Sequence, residues 1–163
     1  MKKLTYIIMA GMVAILYACG DSANNNNAGT INARASLPDS LKFTALGYKV
    51  VTLSINKKLG TMSTLYGNKQ ALDNAIAGAD DVKAGEAFAL ITWKQQDDDR
   101  WFGAKIPGNL QSVEMIKTAA DASGKVAIAY THLEGKNLSP IADTLHNAER
   151  IKYIFDQKPS VMP

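Results

Sequence analysis

The segment AFALITWK, at residues 87–94, is the sequence feature that most constrains the fold. Its apolar side chains occupy consecutive positions, whereas a strand with one solvated face alternates apolar and polar residues. The run is rich in residues that favour strands, and it is too short for a typical helix. It therefore predicts a central strand that is apolar on both faces.

A hairpin is predicted before this strand. Tyr48–Asn56 is rich in β-branched residues, and period-two alternation places Val51, Leu53 and Ile55 on one face. Residues 56–60 form a turn, and Thr61–Gly67 pairs back as the second strand.

A helix is predicted after the hairpin. Asn68 is a favourable N-cap residue, and residues 69–78 favour a helix that ends near Gly78. Its apolar stripe consists of Ala71, Leu72, Ala75 and Ile76.

Downstream of the central strand, the three aspartates at residues 97–99 predict an exposed turn. Residues 100–106 are expected to form the next strand, closed by Pro107 and Gly108, whereas residues 111–119 are ambiguous by pattern. Residues 125–135 alternate clearly and predict a strand with Tyr130 and His132 on one face.

The C-terminal segment predicts a helix. Ser139 can cap it, Pro140 suits its first turn, and Pro159 stops it. The apolar stripe is formed by Ile141, Leu145, Ala148, Ile151 and Phe155. These elements predict an α+β fold, with an antiparallel β-sheet, a helix after the second strand and a C-terminal amphipathic helix.

The N-terminus has the pattern of an export signal. Lys2 and Lys3 precede an apolar run at residues 4–16, which is shorter than a membrane-spanning helix requires. The tetrapeptide LYAC at residues 16–19 resembles the lipobox of bacterial lipoproteins, in which the signal is cleaved before a cysteine that carries lipid. The resemblance implies a signal peptide at 1–18, lipidation at Cys19, and an extracytoplasmic protein attached to a bacterial membrane, on the periplasmic face or at the cell surface.

Beyond the signal, residues 19–36 are small and polar and predict a flexible tether, followed by one domain at 37–163. Removal of the signal deletes two lysines and no acidic residue, so the formal charge falls from +3 to +1. This charge does not favour nucleic acid as a partner. Cys19 is the only cysteine, so a disulfide within one chain is excluded.

Three segments together resemble the cytochrome P-460 family. They are TMSTLYGNKQAL at residues 61–72, GEAFALITWKQ at 85–95 and WFGAKIPGNLQSVEMI at 101–116. The resemblance covers most of residues 43–130 in order and spacing. It implies the fold and the exported compartment.

The sequence departs from the haem-carrying members of that family. Those members attach haem through a Cys-x-x-Cys-His motif, cross-link a lysine to the macrocycle and use a pocket arginine. Here Cys19 is the only cysteine, so thioether attachment is excluded. Residues 62–64 lack the arginine, and residues 90–92 lack the lysine. No covalent cofactor is therefore expected, and the resemblance does not imply hydroxylamine or nitric oxide chemistry.

Several side chains are candidates for a ligand pocket. The aromatic candidates are Trp93, Trp101, Phe102, Phe88 and Tyr130, which can line an apolar cavity if the two tryptophans meet across a hairpin. His132 is a candidate axial ligand for haem b or a pocket base, and Glu114 is a candidate acid or base. No catalytic set and no metal site is predicted, because the adjacent aspartates are poorly spaced for one ion.

Three hypotheses about function remain open. The first is a lipid-anchored extracytoplasmic domain without the c-type haem motif, which binds a small molecule or non-covalent haem in a cavity. The second is a non-catalytic structural or interaction lipoprotein. The third is a haem-b redox protein that uses His132.

Overall fold

The computed structural model describes residues 32–79, 81–135, 137–142 and 144–160. The strands are β1 (Lys49–Asn56), β2 (Thr61–Gly67), β3 (Ala87–Asp97), β4 (Lys105–Ala120), β5 (Val126–Glu134) and β6 (Ser139–Pro140). The helices are α1 (Lys69–Ile76) and α2 (Asn147–Phe155), and short 3-10 turns occupy Asp39–Leu41 and Phe43–Leu46. The strands form one antiparallel sheet in sequential order, which confirms the predicted α+β class.

The signal peptide predicted at residues 1–18, with Cys19 after it, lies outside the described residues. Among the residues that are described, no helix has the length and apolar character needed to cross a membrane.

The β3 strand is buried on both faces, as its sequence predicts. On one face, here called the helix face, Phe88 and Leu90 join a core that includes residues of both helices. The other buried members of that core are Val51, Leu65, Ala71, Ile116 and Ile154. On the opposite face, Ile91 and Trp93 pack with Val113 and Leu138.

Residues 32–46 cover the opposite face. The Trp93 Nε1 donates a hydrogen bond of 2.7 Å to the Ala35 carbonyl, and the Leu110 amide donates one of 2.9 Å to Arg34 O. The Asn32 side chain donates to Pro107 O at 3.0 Å. The predicted tether at residues 19–36 therefore extends too far along the chain, because Asn32, Arg34 and Ala35 are hydrogen-bonded to the sheet. Residues 19–31 lie outside the described part of the chain.

The α1 helix begins as predicted, since the Asn68 side chain accepts a hydrogen bond of 2.9 Å from the Ala71 amide. Ala71 is fully buried, and Leu72 and Ala75 pack against the core. Ile76 is 67% exposed, so it does not belong to the buried apolar stripe of α1 as predicted.

The predicted face of β1 is wrong beyond Val51. The register shifts between Val50 and Thr52, which inserts one extra residue opposite β2. Val51 stays in the helix-face core, whereas Leu53 and Ile55 turn to the other face and are mostly exposed.

The strand expected at residues 100–106 is also wrong at its start. Residues 98–104 form the turn, and β4 begins at Lys105 and continues through Pro107 and Gly108. Two register shifts against β3 accommodate these residues. A Cβ atom at Gly108 would lie 2.9 Å from Lys94 O, so this close approach requires glycine.

The C-terminal helix is shorter than its apolar periodicity predicts. Ser139 and Pro140 form β6, which pairs with β5, and α2 begins only at Asn147. The Ile141 amide donates to His132 O at 2.9 Å, so residue 141 continues the sheet edge. Ile154 is buried, while Leu145 of the predicted stripe is exposed.

The two tryptophans give a test of the packing of residues 32–46. We expect Trp93→Phe to lower the free energy of unfolding by about 1–3 kcal/mol, because the half-buried Ala35 carbonyl loses its donor and a smaller ring replaces the buried indole. Trp101→Phe is the matched control and should change it by less than about 0.5 kcal/mol, since Trp101 is exposed. Urea unfolding measures both. If both substitutions lowered the free energy of unfolding equally, the packing of residues 32–46 on Trp93 would be contradicted.

Candidate functional site

A cavity of about 450 Å³ lies on the helix face, between α1, the loop at residues 79–86 and the end of α2. Its lining residues are Ala71, Asn74, Ala75, Ala79, Asp81, Val82, Glu86, Phe88, Lys152, Phe155, Asp156 and Lys158. The volume lies within the range of small-molecule pockets, about 300–1,000 Å³.

Glu86 is the buried acid of this cavity, with only 2% of its surface exposed. Its backbone is fixed because the Glu86 amide donates to Thr118 Oγ1 at 2.9 Å, and that hydroxyl donates to Lys83 O at 2.6 Å. One carboxylate oxygen, Oε2, accepts from the Lys83 amide at 3.3 Å. The other, Oε1, has no hydrogen-bond partner among the described residues.

Asn74 presents a second buried oxygen. Its Nδ2 donates to Asp81 O at 2.9 Å, which orients the amide and leaves Oδ1 facing elsewhere. Within the described ranges Oδ1 also has no partner. Buried polar atoms are nearly always hydrogen-bonded, so two unpaired acceptors on one cavity are unusual.

Burial raises the pKa of the Glu86 carboxyl above its usual value. The Lys83 amide, the polar Asn74 side chain beside the carboxyl and the Lys83 charge oppose this effect, and the Asn74 Nδ2 donates its own hydrogen bond to Asp81 O. The net rise means that the site disfavours a bare carboxylate and would gain from a group that donates to it.

The rest of the cavity combines an apolar wall with a charged rim. Phe88 and Phe155 meet edge to face, with ring centroids 5.4 Å apart. At the rim, Lys152 Nζ lies 2.6 Å from Asp156 Oδ2. The site therefore offers acceptors at buried positions, aromatic surface for an apolar body and charges near solvent.

The aromatic residues predicted to share one pocket do not meet. Phe88 lines the cavity, whereas Trp93 lies five residues along β3 and so points to the opposite face. Trp101 is 70% exposed in the β3–β4 turn, and Phe102 is fully exposed there. The prediction that Trp101 and Phe102 line an apolar cavity is wrong, because the chain turns at these residues and no strand carries them inward.

Glu114 and Tyr130 belong to a separate cluster with Arg150. The Arg150 Nη2 and Nε donate to the two oxygens of Glu114 at 2.6 and 2.9 Å, and the Tyr130 hydroxyl donates to Oε2 at 2.7 Å. Glu114 raises the pKa of Arg150 by hydrogen bonding. Burial and the Glu114 carboxylate raise the pKa of Tyr130 well above its ordinary value. Both carboxylate oxygens of Glu114 are occupied, so this arrangement attaches α2 to the sheet and leaves no oxygen poised for acid–base chemistry.

His132 lies beside this cluster and outside the cavity. It pairs with Glu114 in the β4–β5 register and is half-buried, with its ring centroid 6.4 Å from that of Tyr130. It is not among the residues that line the cavity.

Two of the three aspartates, Asp97 and Asp98, bind neighbouring cations. Asp97 pairs with Lys105, and Asp98 Oδ1 accepts from the Arg100 amide at 2.9 Å and from its Nε at 3.3 Å. These bonds from Arg100 lower the pKa of Asp98. In the described part of the chain, no three His, Cys, Asp or Glu side chains are grouped to hold a metal ion.

Sequence reasoning missed Glu86, Asn74 and Arg150. Glu86 lies directly before β3, and an acidic residue at that position, next to a strand that is apolar on both faces, was the available signal in the sequence. Asn74 lies three residues after Ala71 on the same face of α1, and this spacing can be read from the sequence. The Arg150 contact joins residues 36 positions apart and had no local signal.

The sequence matches no protein-family model, and no curated protein gives a significant match. The resemblance to the cytochrome P-460 family therefore stays a prediction.

Arg150 provides a test of the ion-pair cluster. We expect Arg150→Met to lower the free energy of unfolding by about 1–3 kcal/mol, because the buried Glu114 loses its counter-ion. This loss of unfolding free energy is smaller than that for a fully buried ion pair, because the Arg150 side chain is 38% exposed and solvent partly screens its charge. Lys69→Met, which removes the exposed pair with Asp73, should cost less than about 0.5 kcal/mol. Denaturant unfolding that ranks the two variants equally would argue against a structural role for the cluster.

Proposed function

We propose that this chain is a lipid-anchored extracytoplasmic domain that binds a small molecule in the cavity between α1 and α2. The observation that carries the proposal is the pair of buried, unpaired oxygens, Glu86 Oε1 and Asn74 Oδ1. Leaving two acceptors without donors costs stability in the free protein. A ligand that donates hydrogen bonds to both oxygens, once the Glu86 and Asn74 side chains rotate to turn them towards the cavity, would offset this cost.

The ligand that fits these oxygens best carries a protonated amine. An ammonium group supplies up to three donors and neutralises the Glu86 carboxylate, whose burial disfavours an unpaired charge. Phe88 and Phe155 supply aromatic surface for an apolar body. The predicted ligand class is therefore a small amine with an apolar or aromatic skeleton.

The family resemblance is consistent with a binding role that does not use covalent haem. Non-covalent haem on His132 is the weaker hypothesis, because His132 does not line the cavity. The Glu114 carboxylate is likewise occupied by Tyr130 and Arg150, so we propose no catalytic role for it.

Matched probes test the amine hypothesis. We expect 2-phenylethylamine to bind at pH 7 in isothermal titration calorimetry, and 3-phenylpropionate to bind much more weakly. Glu86→Gln should reduce the affinity for the amine by at least about tenfold, which is 1.4 kcal/mol. Glu149→Gln, at an exposed position on α2, is the matched control and should leave binding unchanged.

The pH dependence has a defined sign. Because the pKa of Glu86 is raised, its neutral form persists above the ordinary range of a carboxyl. Amine affinity should therefore rise with pH through that raised pKa and level off once Glu86 is ionised. Equal binding of the amine and the acid, or binding that survives Glu86→Gln, would contradict the proposed site.

The anchor is tested separately on the chain of residues 1–163. We expect the wild-type protein, expressed in a bacterium that processes lipoproteins, to partition into the detergent phase and to incorporate labelled palmitate. Cys19→Ser should abolish the label, because it removes the sulfur that carries the lipid. Palmitate incorporation by the Cys19→Ser variant would argue against lipidation at this residue.

A further inference from the structure

The end of the sheet that carries the β1–β2 and β3–β4 turns is rich in exposed apolar side chains; we call it the hairpin end. In an antiparallel meander these two turns lie at the same end. The β1–β2 turn contacts the last part of β3 directly, since Lys94 Nζ donates to Leu59 O at 2.8 Å and the Gln95 amide donates to Gly60 O at 2.9 Å. The large exposed hydrophobic residues in this region are Leu53, Ile55, Leu59, Trp101 and Phe102.

The β3–β4 hairpin projects furthest at this end. The last β2 pairing along β3 is Thr61 with Lys94, whereas β3 and β4 continue to pair as far as Asp97 and Lys105. The turn beyond them carries Trp101 and Phe102. The turn is itself well ordered by hydrogen bonds, with the Asp98 amide on Ala104 O at 3.0 Å. A defined turn thus holds two aromatic side chains in solvent.

Cationic side chains are exposed at the same end of the sheet as these aromatic residues. Lys57, Lys58 and Lys94 are exposed in or beside the β1–β2 turn. Arg100 and Lys105, at the other turn, are paired with Asp98 and Asp97. Those pairs offset the negative charge of two aspartates, and the third, Asp99, is exposed beside them. Tryptophan and phenylalanine next to lysine and arginine form the residue combination found where proteins meet the bilayer interface.

The chain also enters the described domain at this end. Asn32 donates its side-chain hydrogen bond to Pro107 O, and Pro107 pairs with Gln95 of β3. The lipid proposed on Cys19 is thirteen residues before Asn32, a span of at most roughly 45 Å when fully extended. An anchor on Cys19 would therefore keep the hairpin end within about 45 Å of the membrane surface, which is close enough for it to reach the bilayer.

We propose that the hairpin end docks on the lipid bilayer, with Trp101 and Phe102 inserted at the interface and the nearby lysines on anionic headgroups. This proposal rests on the lipid anchor proposed above, which brings the surface to the bilayer. It is independent of the ligand cavity. The lipid anchor alone would attach the domain to the membrane. Docking of the hairpin end would also fix the orientation of the domain.

The two tryptophans allow a direct test. The chain from residue 20 contains every residue of both cores, and it can be attached through an N-terminal His-tag to vesicles of phosphatidylethanolamine and phosphatidylglycerol with a nickel-chelating lipid. The tag replaces the lipid, so failure of lipidation at Cys19 does not affect the result. The readout is tryptophan emission in vesicles with and without bromine on the acyl chains.

We expect brominated lipid to quench the emission of Trp101 and to leave that of Trp93 unchanged. Trp101→Tyr isolates the Trp93 signal, and its emission should be the same in both kinds of vesicle. Phe102→Ser should reduce the quenching of Trp101 several-fold, because one of the two inserted rings is lost. Ile76→Ser, which removes an exposed apolar residue on α1, is the matched control and should leave the quenching unchanged.

Two results would overturn the proposal. One is emission from the wild-type protein that is the same with and without bromine, since Trp101 would then stay in water while attached to the membrane. The other is self-association of the protein in vesicle-free solution that Phe102→Ser abolishes. That result would assign the hairpin end to contact with a second copy of the chain.

Discussion

The fold depends on the burial of β3 from both sides. Phe88 and Leu90 point to the helix face, while Ile91 and Trp93 point to the opposite face, so each face needs its own cover. The helices α1 and α2 supply one cover, and residues 32–46 supply the other. The chain has one cysteine, at residue 19, so these two packed layers stabilise the domain without an internal disulfide.

The layer formed by α1 and α2 leaves a cavity at one end of the helix face. Ile154 and Phe155 of α2 pack against the core, and Arg150 attaches the helix to Glu114 of β4. At the start of β3 the helices and the loop at residues 79–86 separate, and the cavity contains a buried carboxylate. A domain optimised only for stability would place an apolar or fully hydrogen-bonded residue at position 86. Retaining Glu86 with an unpaired oxygen is the kind of local cost that binding sites commonly carry.

Much of the fold follows from local sequence patterns, and the errors have local physical causes. The run at residues 87–94 identified the central strand, and Asn68 identified the start of α1. Alternation failed in β1, because one bulged residue reverses the face of every later side chain. Helical periodicity failed after Ser139, because pairing with β5 satisfies that backbone before α2 begins. Phe88 was the one predicted pocket residue that lines the cavity; Glu86 and Asn74 depend on how the loop folds over the sheet.

The cavity and the hairpin end lie at opposite ends of β3. Glu86 and Phe88 are at the start of this strand, and Asp97 at its end leads into the turn with Trp101. Eleven residues of extended chain separate the two regions by roughly 30 Å. If the hairpin end contacts the bilayer, the cavity is held on the far side of the domain, towards the aqueous compartment. A water-soluble amine would then reach Glu86 without crossing the headgroup layer, which agrees with the charged rim formed by Lys152 and Asp156. The two proposals are therefore compatible with one orientation of the domain, with the apolar end at lipid and the polar cavity in water.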